Sequence, residues 1–266
     1  MTKENIFIAL PPQQLPLLQG WDVTPAHLAY RIGKGSRLLR AGCSSPPKGG
    51  LMVVDDQDFD GSGPVAHFCQ EMIQECQVRN FSGAVLDFEK RSPPLEQTAA
   101  RLDDLFSRRG FSLFVPEGYG SCAPQAKVMI SSALSGGSLS FRLEECMERF
   151  GRDRVVLALE KVAEDFILPS PSGKGTPLTQ TDLREKINCI HPAVFFSPEL
   201  CARYFTYMGH ESGAHFVLFD DGDTLRRKME VARQLGINTF FAPWAEISDC
   251  AERMGLPRSA DRKKNR

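Results

Sequence analysis

The chain has 266 residues, 42% of them hydrophobic and 24% charged, which supplies a sizeable core and excludes both a disordered chain and a small stapled scaffold. With 32 basic residues against 33 acidic ones the net charge is -1. No global field recruits nucleic acid or an anionic membrane, so any partner is read by a local site.

The first apolar run, Ile6-Phe-Ile-Ala-Leu10, is too short for a signal peptide, and Pro11-Pro12 ends it. No run reaches the roughly 18 apolar residues of a membrane span. The expected location is therefore cytoplasmic, with no membrane partner. The cysteines, Cys43, Cys69, Cys76, Cys122, Cys146, Cys189, Cys201 and Cys250, form no C-x-x-C pair, which argues for ordinary reduced thiols. His27, His67, His191, His210 and His215 lack ligand spacing, and neither a metal nor a cofactor is expected.

In chain order, short β-rich runs alternate with helical patterns, the signal for βα units on a parallel sheet. The strands expected are Ile6–Leu10, Leu51–Val54, Gly83–Phe88, Phe111–Val115, Lys127–Ser131, Arg154–Leu159, His215–Phe219 and Ile237–Ala242, with Arg37–Leu39 and Val194–Phe196 weaker. A helix follows Leu51–Val54, because Val65, Phe68, Cys69, Met72, Ile73 and Cys76 repeat at helical spacing. A second opens at Ser92-Pro93 and runs to Gly110. A third follows Asp223-Thr224 and stops at Gly236. More than six strands with crossover helices fit either an open doubly wound sheet or a closed barrel, and the barrel is preferred: an α/β (β/α)₈ TIM-type barrel over residues 1–256, irregular in its first quarter because only one clear strand precedes Leu51. The basic residues 257–266 read as a frayed, solvated tail. Leu168 to Pro177 reads as a polar loop.

The most informative segment is Phe81-Ser-Gly-Ala-Val-Leu-Asp-Phe-Glu89. On a strand, Val85, Asp87 and Glu89 share one face and Ala84, Leu86 and Phe88 the other. Two carboxylates thus meet at the carboxyl end of a parallel strand, where barrel enzymes place their sites. Like charges so close favour one retained proton, which suits a general acid. The structural alternative pairs Glu89 with Lys90 or Arg91, or makes it a helix cap.

Ser82-Gly-Ala-Val-Leu-Asp-Phe-Glu89 resembles the D-G-x-D-x-D-x-E strand of glycoside hydrolase family 18, the chitinase-like barrels, with Ser82 and Val85 in place of the first and middle acids. The segment from Phe216 to Trp244 is similar to that family's closing stretch: a strand ending in acids, a Thr224-Leu-x-x-Lys228 helix, a Leu235-Gly236 turn and a last strand ending in Trp. Tyr204-Phe-Thr-Tyr207 resembles the aromatic lead-in of spore-germination and cortex-associated hydrolases.

The resemblance implies retaining, substrate-assisted hydrolysis of a β-linked N-acetylglucosamine glycan, such as chitin or peptidoglycan of the spore cortex. Glu89 would protonate the leaving oxygen and Asp87 would orient the acetamido group. Trp244 would be the stacking floor for the sugar. The family's Met-x-Tyr-Asp strand corresponds to Met129-Ile-Ser-Ser132, so Ser131 stands where a tyrosine would hold the acetamido group, and Tyr119 is the candidate replacement. Two rivals remain open. One is a chitinase-like barrel that binds glycan without cutting it. The other is a barrel enzyme for a phosphorylated small molecule, with Ser135-Gly-Gly-Ser138 as the anion cradle. Asp56-Gln-Asp-Phe-Asp60-Gly61 has the start of a calcium loop, but His67 stands where the closing Glu belongs. Synthesis in a sporulating mother cell fits as well as a purely cytoplasmic role, and oligomeric state is not readable.

Overall fold

Eight parallel strands close on themselves. In the computed structural model, which describes residues 4–42, 47–171, 173–210 and 212–259, the barrel strands are β1 (Asn5–Leu10), β2 (Thr24–Gly33), β4 (Leu51–Asp55), β5 (Gly83–Asp87), β6 (Ser112–Pro116), β7 (Lys127–Ser131), β8 (Val155–Ala158) and β14 (Thr239–Pro243). Pairing of β1 with both β14 and β2 completes the ring. Around it lie α1 (Val65–Arg79), α2 (Pro93–Arg109), α3 (Leu139–Phe150) and α5 (Gly222–Gln234). The short α6 (Trp244–Ile247) follows the last strand.

Alternation divides the core in two. Ala9, Ala26, Leu51, Val53, Val85, Phe114, Val156 and Phe241 fill the barrel. Ile8, Val54, Leu86, Val115, Leu157 and Phe240 point outward into a larger cluster with Phe68, Leu102, Leu143 and Met229 of the helices. The expected helices form: α1 buries Phe68, Cys69, Met72, Ile73 and Cys76, and α2 ends on Gly110 at φ 72, a left-handed position that suits glycine. The third helix begins earlier than expected, because Asp221 is its N-cap and closes a capping box with Thr224.

The irregular first quarter has a physical cause. A 3-10 helix, Pro12–Leu18, joins β1 to β2, and β2 carries a register shift between Leu28 and Tyr30. The strand β3 (Arg37–Arg40) turns back antiparallel on β2. The ten-residue β2 went unrecognised because it reads as polar, with His27, Tyr30 and Arg31 in it. Both His27 and Tyr30 are buried, His27 bonded to the Gly49 carbonyl at 3.0 Å and Tyr30 Oη donating to Glu75 Oε1 at 2.9 Å. Such burial depends on partners distant in sequence.

Between β8 and α5 the chain builds a second sheet of five antiparallel strands, ordered β10-β9-β13-β12-β11. These are β9 (Ala163–Leu168), β10 (Thr176–Pro177), β11 (Phe195–Ser197), β12 (Ala202–Gly209) and β13 (Gly213–Phe219). The helix α4 (Gln180–Ile190) covers one face through Leu183 packed with Phe205, Val217 and Phe219. The run His215–Phe219, expected in the barrel, is thus the central strand β13 of this insertion. A strand covered on both faces has the same apolar signature in either sheet.

Among the calcium-loop acids, Asp56 accepts the Glu89 and Lys90 amides, Asp58 pairs with Arg31, and Asp60 with Ser62. The seven described cysteines are free thiols, and Cys43 lies outside the described residues. The start of the basic tail is anchored. Ser259 N donates to Gly20 O at 2.9 Å and the Arg258 guanidinium sits 3.7 Å from the Trp21 ring centroid. Residues 260–266 of that tail lie outside the described residues. No described helix is long and apolar enough to cross a membrane.

Candidate active site at the barrel mouth

The carboxyl ends of the strands open on a cavity of about 410 Å³, walled by Leu28, Met129 and Phe241 and carrying Asp87, Ser131 and Glu160. Asp87 is the last residue of β5. It points inward because Val85, two residues before it, belongs to the barrel interior while Ala84 and Leu86 belong to the outer cluster. It lines the cavity and is exposed there. Burial pushes its carboxyl above the ordinary aspartate value, and the carboxylates of Asp55, Glu89, Glu160 and Asp56 add to that push. Asp55 is its register partner on β4.

Glu89 lies just beyond β5, exposed and not among the residues that line the cavity, but near enough for its charge to act on Asp87. Among the described residues no hydrogen bond joins the two acids directly. Arg91 pairs with Glu96 at 2.5 Å rather than with Glu89. The turn that carries Glu89 is fastened by its backbone. Buried Asp56 accepts the Glu89 N–H at 3.1 Å and the Lys90 N–H at 3.0 Å, and Tyr119 Oη donates to the Lys90 carbonyl.

Replacing Asp87 tests its crowding. A carboxyl whose folded pKa is raised binds its proton more tightly when folded, so the penalty it imposes is present above the folded pKa and relieved on acidification toward the unfolded value. The Asp87→Asn variant is expected to melt higher than wild type at neutral pH, with the gap closing as pH falls. A melting series across that range checks this, and a gap independent of pH contradicts it.

The remaining expected site residues fall in different places. Ser131 reaches the cavity, but its Oγ donates to Glu160 Oε2 at 2.5 Å. Its neighbour Ser132, fully buried, exchanges hydrogen bonds with the Glu160 backbone at 3.0 and 3.1 Å. The two serines at the end of β7 therefore hold Glu160 in the mouth. Sequence reasoning missed Glu160 and Asp55. Both sit at or just past the end of a barrel strand, the signal that had picked out Asp87.

Tyr119 is not brought to the cavity wall. It is 2% exposed, packs edge-to-face on Phe88 at 5.7 Å, and joins the outer cluster. Burial, with Asp56 nearby, pushes its phenol up to about 12. Its contribution runs through the Lys90 carbonyl. Tyr119→Phe is expected to cost about 1–2 kcal/mol, the range for a hydrogen bond whose partner is left partly buried. Urea unfolding measures this, and an unchanged midpoint would show that the bond contributes nothing.

Trp244 also faces away from the site expected for it. Phe240 and Ala242 of β14 face the outer cluster, Trp244 beyond the strand packs against the same cluster, and Phe241 lines the cavity instead. Trp244 opens α6, half-buried, with its ring edge-to-face on Trp21 at 6.4 Å.

No family model matches the chain, and no curated protein matches it in sequence. Solved structures do match in fold. A chitinase from Chromobacterium violaceum superposes with a TM-score of 0.65 at 14% identity, covering 97% of this chain and 96% of that one. The spore cortex-lytic enzyme SleL of Bacillus cereus gives 0.62 at 12% identity, with 96% and 71% covered. The class V chitinase of Nicotiana tobaccum gives 0.63 at 11% identity, with 96% and 99% covered. The chain therefore has the α/β barrel fold of the chitinase-like proteins.

Proposed function

We propose that the protein hydrolyses a β-linked N-acetylglucosamine-containing glycan, chitin-like or peptidoglycan, with retention of configuration. The observation that carries this reading is Asp87 pointing into the mouth of a chitinase-like barrel, with the exposed Glu89 two residues on and close enough for its charge to act on Asp87. In this mechanism Glu89 gives its proton to the glycosidic oxygen as the bond to the anomeric carbon breaks. The substrate's own acetamido oxygen attacks that carbon and forms a bicyclic oxazolinium. Asp87 accepts a hydrogen bond from the acetamido N–H and offsets the cation. Glu89, now ionised, takes a proton from the water that opens the ring. The location we propose is the cytoplasm, including that of a sporulating cell.

The test is incubation with a chitooligosaccharide and with muropeptides, following products by NMR. Cleavage with the β-anomer appearing first is the expected result. The absence of both turnover and binding with either glycan would overturn the proposal. A second reading, glycan binding without cleavage, is favoured by Tyr119: its hydroxyl is committed to Lys90 and does not replace the phenol missing at Ser131. Under that reading affinity is measurable and no product forms.

A further inference from the structure

Away from the barrel, on the face of the inserted sheet that α4 covers, strand register gathers Asp165 of β9, Tyr207 of β12 and His215 of β13. Tyr207 stands opposite His215, and Asp165 stands opposite Val217, two residues along β13, so the three side chains share a face. His215 Nδ1 lies 2.8 Å from Asp165 Oδ1. Its Nε2 lies 2.6 Å from the Oγ of Ser212, in the turn that joins β12 to β13.

The surroundings hold this arrangement. The Tyr207 ring stacks on the imidazole at 4.4 Å. Its hydroxyl donates to Asp165 Oδ2 at 2.8 Å, and Lys186 Nζ of α4 sits 3.0 Å from the same oxygen. Burial alone would push the Asp165 carboxyl up, but the donors His215, Tyr207 and Lys186 hold it below its ordinary value. An ionised carboxylate only accepts, so His215 carries its proton on Nδ1. In the neutral ring Nε2 is then the acceptor, and the Ser212 hydroxyl donates to it. That polarity raises the nucleophilicity of a serine oxygen.

Access and space also fit. Asp165 and His215 are 8% and 7% exposed, whereas Ser212 is open to solvent. A Cβ on residue 209 would lie 2.2 Å from Ser212 Oγ and 3.0 Å from His215 Nε2, so Gly209 is what leaves room for the two to meet.

We propose that Ser212, His215 and Asp165 form a second active centre, separate from the barrel mouth, that hydrolyses small acyl esters. Ser212 Oγ attacks the ester carbonyl carbon while His215 Nε2 takes the hydroxyl proton. The bond to the alcohol breaks, and Nε2 hands that proton to the departing alkoxide. Water then attacks the acyl-serine and gives a proton to Nε2, which returns it to Ser212 Oγ as the carboxylic acid leaves. Asp165 is a positioning residue that fixes the imidazole tautomer. The exposed turn favours a small acyl group, acetyl being the simplest, on an alcohol that extends into solvent.

The experiment treats the full chain with a fluorophosphonate probe and, separately, with p-nitrophenyl acetate. The expected result is an adduct on the peptide containing Ser212 and ester turnover that falls to background in Ser212→Ala, an exposed substitution that spares the fold. General-base assistance is worth about 10²–10⁴-fold, so His215→Gln is expected to lose at least about a hundredfold in both labelling and turnover. Asp165→Asn is expected to lower kcat with KM unchanged. An unlabelled Ser212, turnover in Ser212→Ala equal to wild type, or equal labelling in wild type and His215→Gln overturns the proposal.

Discussion

Glu89→Gln is expected to lower kcat on a chitooligosaccharide by about 10²–10⁴-fold, the usual worth of a positioned general acid, with KM little changed. Gln is isosteric and exposed here, and the turn beneath it is held through main-chain atoms: the Glu89 and Lys90 amides on Asp56 and the Lys90 carbonyl on Tyr119. The substitution therefore removes a proton donor without moving the backbone. Under the proposed function the wild-type rate is expected to be low, because Ser131 stands where the family that the sequence resembles has a donor, and loss of one such donor typically costs about 10²–10³-fold. Steady-state kinetics on the purified pair decide the matter. Equal rates in wild type and variant would remove Glu89 from the chemistry, and equal affinities without product would establish the binding reading.

Lys228→Met is expected to have the largest effect on stability. Lys228 and Asp220 are both fully buried at the side chain and meet at 2.6 Å. Asp220 also accepts from Val162 N at 2.9 Å and from Thr224 Oγ1 at 2.8 Å, and Lys228 donates to the Ser132 carbonyl at 2.8 Å. One ion pair thus links the end of β7, the point where the inserted sheet leaves the barrel, and the first turn of α5. Removing one partner strands a buried charge, at a cost of about 3–5 kcal/mol. The double variant Lys228→Met with Asp220→Leu removes both charges and is expected to recover much of that loss. Urea unfolding of the three proteins measures both effects. A single variant within about 1 kcal/mol of wild type would show that the pair is dispensable.

Much of the barrel was legible in the linear chain. Seven of its eight strands coincide with short apolar runs, because each is buried on both faces and needs little from distant residues to declare itself. The helices α1 and α2 were read from one-sided apolar spacing and a left-handed glycine stop, both local properties. The inward direction of Asp87 followed from simple alternation along β5. The strand β2 was not legible, since His27 and Tyr30 are buried only because Gly49 and Glu75 lie beside them in space.

The linear chain was enough to show the alternation of strands and helices, the acids at the end of β5 and the resemblance they carry. Those depend on residue type and on short-range periodicity, which the chain displays without folding. Closure of the sheet into a ring rests on the pairing of β1 with both β2 and β14. That His215–Phe219 belongs to an inserted sheet emerges on folding, since an apolar run does not name its neighbours. Folding also turned Trp244 and Tyr119 into the outer layer. The strand β14 ends at Pro243, so Phe241 reaches the cavity while Trp244 starts α6 outside it, and a hydroxyl goes to whichever carbonyl lies within its reach. The pairing of Ser131 with Glu160, and of His215 with Asp165, likewise arises from the way the strands are laid together. Hydrogen-bond partners separated by tens of residues meet only once the sheets have formed.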